Sequence, residues 1–174
     1  MNYPARLVLS SIFLISSFVL FSQSKNVMIM DEKIGENVMI GYCDKSGLEQ
    51  GVFGVYFTSQ YETYIPKDAV IKKLTEKITK VKITIVFATW CSDSRLQLGR
   101  FYKILEQMGY NTKNITLIGV NSDKNALSVN VENFNIELVP TFIIYQKDNE
   151  LGRIVESPNK SLEEDLWKIV KKVQ

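Results

Sequence analysis

The sequence contains no histidine, which removes the commonest general base and the commonest metal ligand together. A Ser-His or Cys-His catalytic pair is excluded, and so are most zinc sites. Cysteine is almost as scarce: Cys43 and Cys91 are the only two, and with scattered acids they make no metal set. No glycine-rich phosphate loop or dinucleotide-binding pattern occurs, so no cofactor is implied. Charge of neither sign dominates, with 21 basic against 19 acidic residues and a net charge of +2. No basic run carries interleaved aromatics, which argues against a nucleic-acid partner; KKLTEK and the terminal KKVQ read as solvated helix faces.

Long hydrophobic runs are also missing, with one exception. After Arg6 the run LVLSSIFLISSFVLF holds 15 residues without a charge and gives way to SQSK. A basic start, a short apolar centre and small polar residues at its end describe a secretory signal peptide. The run is shorter than the roughly 20 residues a membrane span requires, so no stable membrane anchor is expected after cleavage near Gln23 or Ser24. The expected organisation is a signal at 1–23, an N-terminal extension at 24–66 and a domain at 67–174. Export, periplasmic or secreted, places both thiols in an oxidising compartment.

Within the domain the pattern alternates. Residues 24–36 read as irregular, VMIGY (38–42) as a short edge strand, and 51–66, rich in aromatics, as a packed segment without clear periodicity. Val70, Ile71, Leu74 and Ile78 have the spacing of one buried helix face. KITIVFA (82–88) is a continuous apolar run of central-strand length. Leu98, Phe101, Ile104, Leu105 and Met108 mark an amphipathic helix closed by Gly109. NITLIGV (114–120) predicts another buried strand, 124–133 a short helix, and TFIIYQ with GRIVES a hairpin joined by KDNEL. Ser161 and Glu164 form a capping box for a last helix. This order predicts an α/β fold: a mixed central sheet with helices on both faces.

Cys91 sits where the strand ends and the helix begins. Unpaired amides and the helix dipole favour an anion there, and a thiolate is one. Helix starts lower cysteine pKa values and make the sulfur nucleophilic. Arg95 adds positive potential one turn on, and Asp93 opposes it. Trp90, beside Cys91, reads as packing or as a shield over the sulfur.

The stretches IVFATWCSDSRLQLGRFYKIL and ELVPTFIIYQKDNELGRIVES together resemble the thioredoxin-like family, over about residues 67–173. The resemblance implies the three-layer thioredoxin-like fold and a cis proline at Pro140, flanked by Val139 and Thr141, lying beside the active cysteine. With Trp90 these three form the implied substrate-binding surface. It also exposes three departures. The family's second cysteine corresponds to Ser94, a buried acid to Ile85, and a kinking proline to Gly99. A serine cannot displace a mixed disulfide, although its hydroxyl can donate to a thiolate.

The implied activity is thiol–disulfide exchange through the single nucleophile Cys91, with Ser94 as its catalytic neighbour. The implied partners are disulfide-containing exported proteins or small thiols. Two other readings stand beside it: a non-catalytic binding module with a vestigial Cys91, and a redox protein in which Cys43 is the second thiol. A Cys43–Cys91 bridge would close a loop of about 48 residues and stabilise by roughly 4 kcal/mol. The sequence carries no sign of oligomeric state.

Overall fold

The computed structural model describes residues 24–173; the expected signal segment lies outside them. Six strands form one sheet in the order β1-β2-β4-β3-β5-β6. They are β1 (Val27–Asp31), β2 (Glu36–Cys43), β3 (Lys82–Phe87), β4 (Ile115–Gly119), β5 (Thr141–Gln146) and β6 (Asn149–Val155). Only β3 and β4 run parallel; every other pair is antiparallel. The parallel pair is central and apolar because it is covered on both sides.

The helices are α1 (Lys45–Leu48), α2 (Gly51–Thr63), α3 (Asp68–Thr75), α4 (Ser92–Gln107) and α5 (Leu162–Val170). Alternation along β3 divides the core. Ile83, Ile85 and Phe87 point into the larger cluster with Phe57 of α2, Leu74 of α3, Phe101 of α4 and Leu166 of α5. Phe101 meets Phe142 of β5 with ring centroids 4.3 Å apart, and each such fully buried aromatic contributes about 2–3 kcal/mol. Val86 and Ala88 point the other way, into a smaller cluster with Ile118, Val120 and Cys91. That face is roofed by residues 121–138, whose helical content is one 3-10 turn, Glu132–Phe134. The fold is thioredoxin-like α/β, with its helical cover distributed unequally.

Four expectations change. Residues 27–31 form an edge strand, so β2 is an interior strand between β1 and β4. Residues 51–63 form a full helix whose apolar side chains point both ways: Phe53 and Phe57 are buried, Val52, Val55 and Tyr56 exposed. The segment 124–133 has no α-helix; Lys124 and Leu127 take positive φ, which breaks one. The hairpin turn is also tighter than KDNEL, since β6 already begins at Asn149.

Gly99, where the family resemblance places a kinking proline, is required for close packing. A Cβ there would stand 2.3 Å from the Phe57 carbonyl oxygen and 2.8 Å from the Tyr61 nitrogen. Only glycine lets the backbones of α2 and α4 approach so closely. Lys45 and the Tyr61 hydroxyl both donate to Glu106 of α4, each at 2.7 Å. Burial alone would raise the Glu106 pKa; these two hydrogen bonds, together with the charges of Lys45 and Lys103, outweigh it and hold the carboxylate below its ordinary value. The 24–66 segment is thereby built into the sheet and clamped onto α4.

Candidate functional site

Cys91 is the N-cap residue of α4, in extended conformation, immediately before the first helical turn. Strand β3 delivers the chain to this point, and Ala88, Thr89 and Trp90 make the turn. The Cys91 amide donates to the Ala88 carbonyl at 3.2 Å, closing it. The residue keeps 9% of its surface exposed. Its thiol donates to the Val139 carbonyl oxygen across 3.0 Å, and the Val139–Pro140 peptide bond is cis. The two sequence motifs, 48 residues apart along the chain, therefore meet at one sulfur.

The Pro140 side is rigidly held. Thr141 is buried and its hydroxyl donates to the Leu138 carbonyl at 2.6 Å. The Glu156 amide donates to the Pro140 carbonyl at 2.7 Å, tying the end of β6 to the start of β5. Trp90 is half-buried against the Cys91 cluster, and its indole N–H is buried without a partner among the described residues.

Ser94 is fully buried, and its hydroxyl oxygen accepts from the Ala88 amide at 3.2 Å. It braces the backbone of the turn one residue past β3, rather than capping the sulfur. Arg95 has the same kind of task. Its Nε donates to the Thr89 carbonyl at 2.8 Å, its guanidinium stacks 5.2 Å from the Tyr56 ring centroid, and Glu36 is 3.8 Å away. The Thr89 hydroxyl in turn accepts from the Met39 amide at 3.3 Å. Arg95 is thus committed to the turn and to the extension. Asp93 accepts from Ser157 at 3.2 Å, and Ser157 accepts from Gln97 at the same distance. Ser157, Gln97 and Thr89 are structural members that carried no signal in the sequence, because each is defined by a partner many residues away. Ile85, where the family resemblance places an acid, is completely buried among apolar side chains.

Cys43 belongs to the other core cluster. Its thiol donates to the Gly41 carbonyl at 3.3 Å, and burial pushes its pKa up to about 12. In register Cys43 faces Leu117, which faces Ile85. Two strand spacings therefore separate Cys43 from β3, about 10 Å, and Cys91 is further still, beyond the end of that strand. A disulfide requires Cα atoms within about 7 Å. The structure keeps the two thiols apart, both free, and a bridge between them would require movement of the backbone.

Among the described residues no group of three or more acids and cysteines is placed to hold a metal ion, and no helix is long and apolar enough to cross a membrane.

Comparison with known proteins adds an independent line. The family model described as Thioredoxin matches residues 66–172. No curated protein matches the sequence. Among solved structures, a protein of unknown function from Pseudomonas aeruginosa is similar at 15% identity, over 67% of this chain and 75% of that one, with a TM-score of 0.43. A malarial protein is 29% identical over 54% of this chain and 97% of its own, TM-score 0.40. A Schistosoma mansoni thioredoxin pre-protein is 22% identical over 62% and 92%, TM-score 0.39.

Proposed function

The chain belongs to the thioredoxin family, and on that premise we propose that it exchanges thiols and disulfides through one nucleophilic sulfur, that of Cys91. The observation that carries the reading is the contact between the Cys91 thiol and the Val139 carbonyl beside Pro140. It sets a partly accessible sulfur at a helix start, against a turn whose backbone can meet an extended substrate.

The chemistry follows from the residues present. The Cys91 thiolate attacks one sulfur of a substrate disulfide R–S–S–R′. A bond forms between Cys91 and the R sulfur, the S–S bond breaks, and R′S⁻ leaves with the electron pair. Release from R needs a second thiolate. Ser94 is an oxygen already bonded to the Ala88 amide, and Cys43 is buried and remote, so an external thiol attacks the mixed disulfide and returns Cys91 as thiolate. Reduction of mixed disulfides and disulfide isomerisation both fit this cycle. Trp90, half-buried beside the sulfur, and the backbone of the Val139–Pro140 turn are the groups offered to substrate, while the Thr141 side chain stays buried and bonded to Leu138. The signal-like run of residues 1–23 supports an exported protein, with partners among exported disulfide-containing proteins or small thiols.

Incubation with a small disulfide followed by intact-mass measurement tests the reading. One adduct, located on Cys91, is expected; a protein that stays unmodified while folded removes it. The limited exposure of Cys91 favours one second reading, a binding module with an idle sulfur. In that case a Cys91→Ala variant keeps all partner binding and all biological activity.

A further inference from the structure

One flank of the Cys91 site carries charge of a single sign. Asp93 stands in the first turn of α4, two residues past the sulfur. The Ser157 hydroxyl donates to its carboxylate at 3.2 Å and accepts from the Gln97 amide at the same distance. Gln97 is only 3% exposed. A buried side chain of α4 thus fixes the serine, and the serine holds Asp93 on the β6 side of the helix start. Glu156 comes immediately before that serine. Its amide donates to the Pro140 carbonyl at 2.7 Å, and the preceding carbonyl, that of Val139, is the one the Cys91 thiol reaches. Two carboxylates therefore share one flank, one tied to the helix start and one to the proline turn.

Glu156 has a φ of 55°, a left-handed backbone that favours glycine. Glutamate occupies it instead, and among the described residues no hydrogen bond or ion pair engages its carboxylate. The cations nearest in sequence to these acids are committed. Arg95 is held by the Thr89 carbonyl, the Tyr56 ring and Glu36, and Arg153 by Glu150 and the Phe134 carbonyl. The chain as a whole is close to neutral, so no general field overrides the local one.

We infer that Asp93 and Glu156, with Ser157 as a positioning residue, select disulfides that carry a positive charge a few bonds from the sulfur. The inference rests on the exchange reading above and names its substrate class: ammonium-bearing disulfides, whether of small aminothiols or of basic peptide segments. As the Cys91 thiolate attacks, its bond to one substrate sulfur forms while the S–S bond breaks, and the leaving aminothiolate takes a proton from water. Negative charge spreads over the three sulfurs on the way. Fixed carboxylates disfavour that charge and an anionic substrate alike, and a substrate ammonium offsets both. The Asp93 Cα lies within about 7 Å of that of Cys91, inside a Debye length at physiological salt.

The test uses three small disulfides of similar size: cystamine, hydroxyethyl disulfide and dithiodipropionate, which are cationic, neutral and anionic. Adduct formation on Cys91 is timed by intact mass at low salt. Each rate is divided by that of mercaptoethanol with the same disulfide, which removes intrinsic reactivity. Cystamine is expected to exceed dithiodipropionate by about tenfold, with the neutral compound between, and salt at about 0.5 M should compress the ratio to about twofold. Asp93→Asn and Glu156→Gln should each lower the ratio, and the double variant should bring it to about one. Glu62→Gln, beside Lys103 at the far end of α4, should keep it. Ser157→Ala should lower the ratio without slowing the neutral disulfide, and Ser157→Thr, which keeps the hydroxyl, should restore it. Peptides with lysine or glutamate beside a cysteine joined to mercaptoethanol then locate the source: a lysine preference assigns basic polypeptide segments, and its absence assigns small aminothiols. A ratio of about one in the unaltered protein, or one indifferent to salt and to both acid substitutions, overturns the charge selection and leaves the exchange reading intact. A Cys91 that reacts with none of the three disulfides overturns both.

Discussion

Cys43 and Cys91 are both free and both largely buried, yet the fold treats them in opposite ways. Cys43 lies within a strand, its sulfur among core side chains, its thiol donating to a carbonyl two residues back. Cys91 lies at the junction of a strand and a helix, and its thiol reaches a carbonyl 48 residues away, beside Pro140. Fractional burial alone therefore does not distinguish the two thiols. The difference lies in what else converges on the sulfur: for Cys43 the sheet alone, for Cys91 a helix start and a second motif.

The comparison breaks most completely at Cys91 itself. Cys91→Ser is expected to abolish mixed-disulfide formation in the folded protein, and Cys43→Ser to leave the adduct in place; the reverse pattern in intact-mass spectra would exchange the two roles. The next largest effect concerns Cys43. Its pKa rises from 9.0 to about 12, so at pH 8 the native thiolate population is about a thousandfold below that of the unfolded chain. Iodoacetamide should label Cys43 that much more slowly before unfolding than after, and rates within tenfold of each other would refute the assignment. The linkage sign follows: the folded state holds the proton more tightly, so this thiol's contribution to stability is intact below pH 9 and is lost as pH climbs toward about 12.

A third test acts through a neighbour. A Cβ on Gly119 would stand 2.4 Å from the Met39 carbonyl oxygen and 3.3 Å from the Cys43 sulfur. Gly119→Ala should cost about 1–3 kcal/mol in denaturant unfolding and should raise Cys43 labelling, making the inert thiol resemble the other. The smallest effect is at Ser94. Replacing it with alanine leaves the buried Ala88 amide without its acceptor, at about 1 kcal/mol. An unchanged unfolding midpoint would show that the serine does not brace the turn.

Much of this layout was legible in the sequence because it is written in local pattern. The apolar run at 82–88, the periodicity at 98–108 and the Ser161–Glu164 capping box correspond to β3, α4 and α5, and the Ser161 hydroxyl does accept from the Glu164 amide. What escaped has a physical cause in each instance. Helix α2 shows no single apolar stripe because it buries Phe53 and Phe57 while Val52 and Val55 face solvent. Strand β1 is short and exposed on alternate residues, so it resembles a polar linker until its partner strand is known. The constraint on Gly99, the backbone of α2, comes from a distant part of the chain and leaves no local mark. The Thr89–Arg95 bracing is a product of that same long-range packing. Cys91 and Pro140 could be singled out in advance; the Val139 carbonyl at the sulfur is a fact of assembly.

The roof over Cys91's cluster is built differently from the sheet around Cys43. Residues 121–138 contain one 3-10 turn and a single isolated bridge, Ala126 to Val129. They are moored at one end by Asp31, which accepts from the Ser122 amide at 2.8 Å, and by the Lys33–Asp123 ion pair. Arg153 of β6 holds the other end, donating to the Phe134 carbonyl at 2.9 Å, and Ala126, Val129, Phe134 and Ile136 pack inward. Cys91 is thus enclosed by side-chain packing and polar moorings from three elements, whereas Cys43 is enclosed by the backbone ladder of the sheet itself.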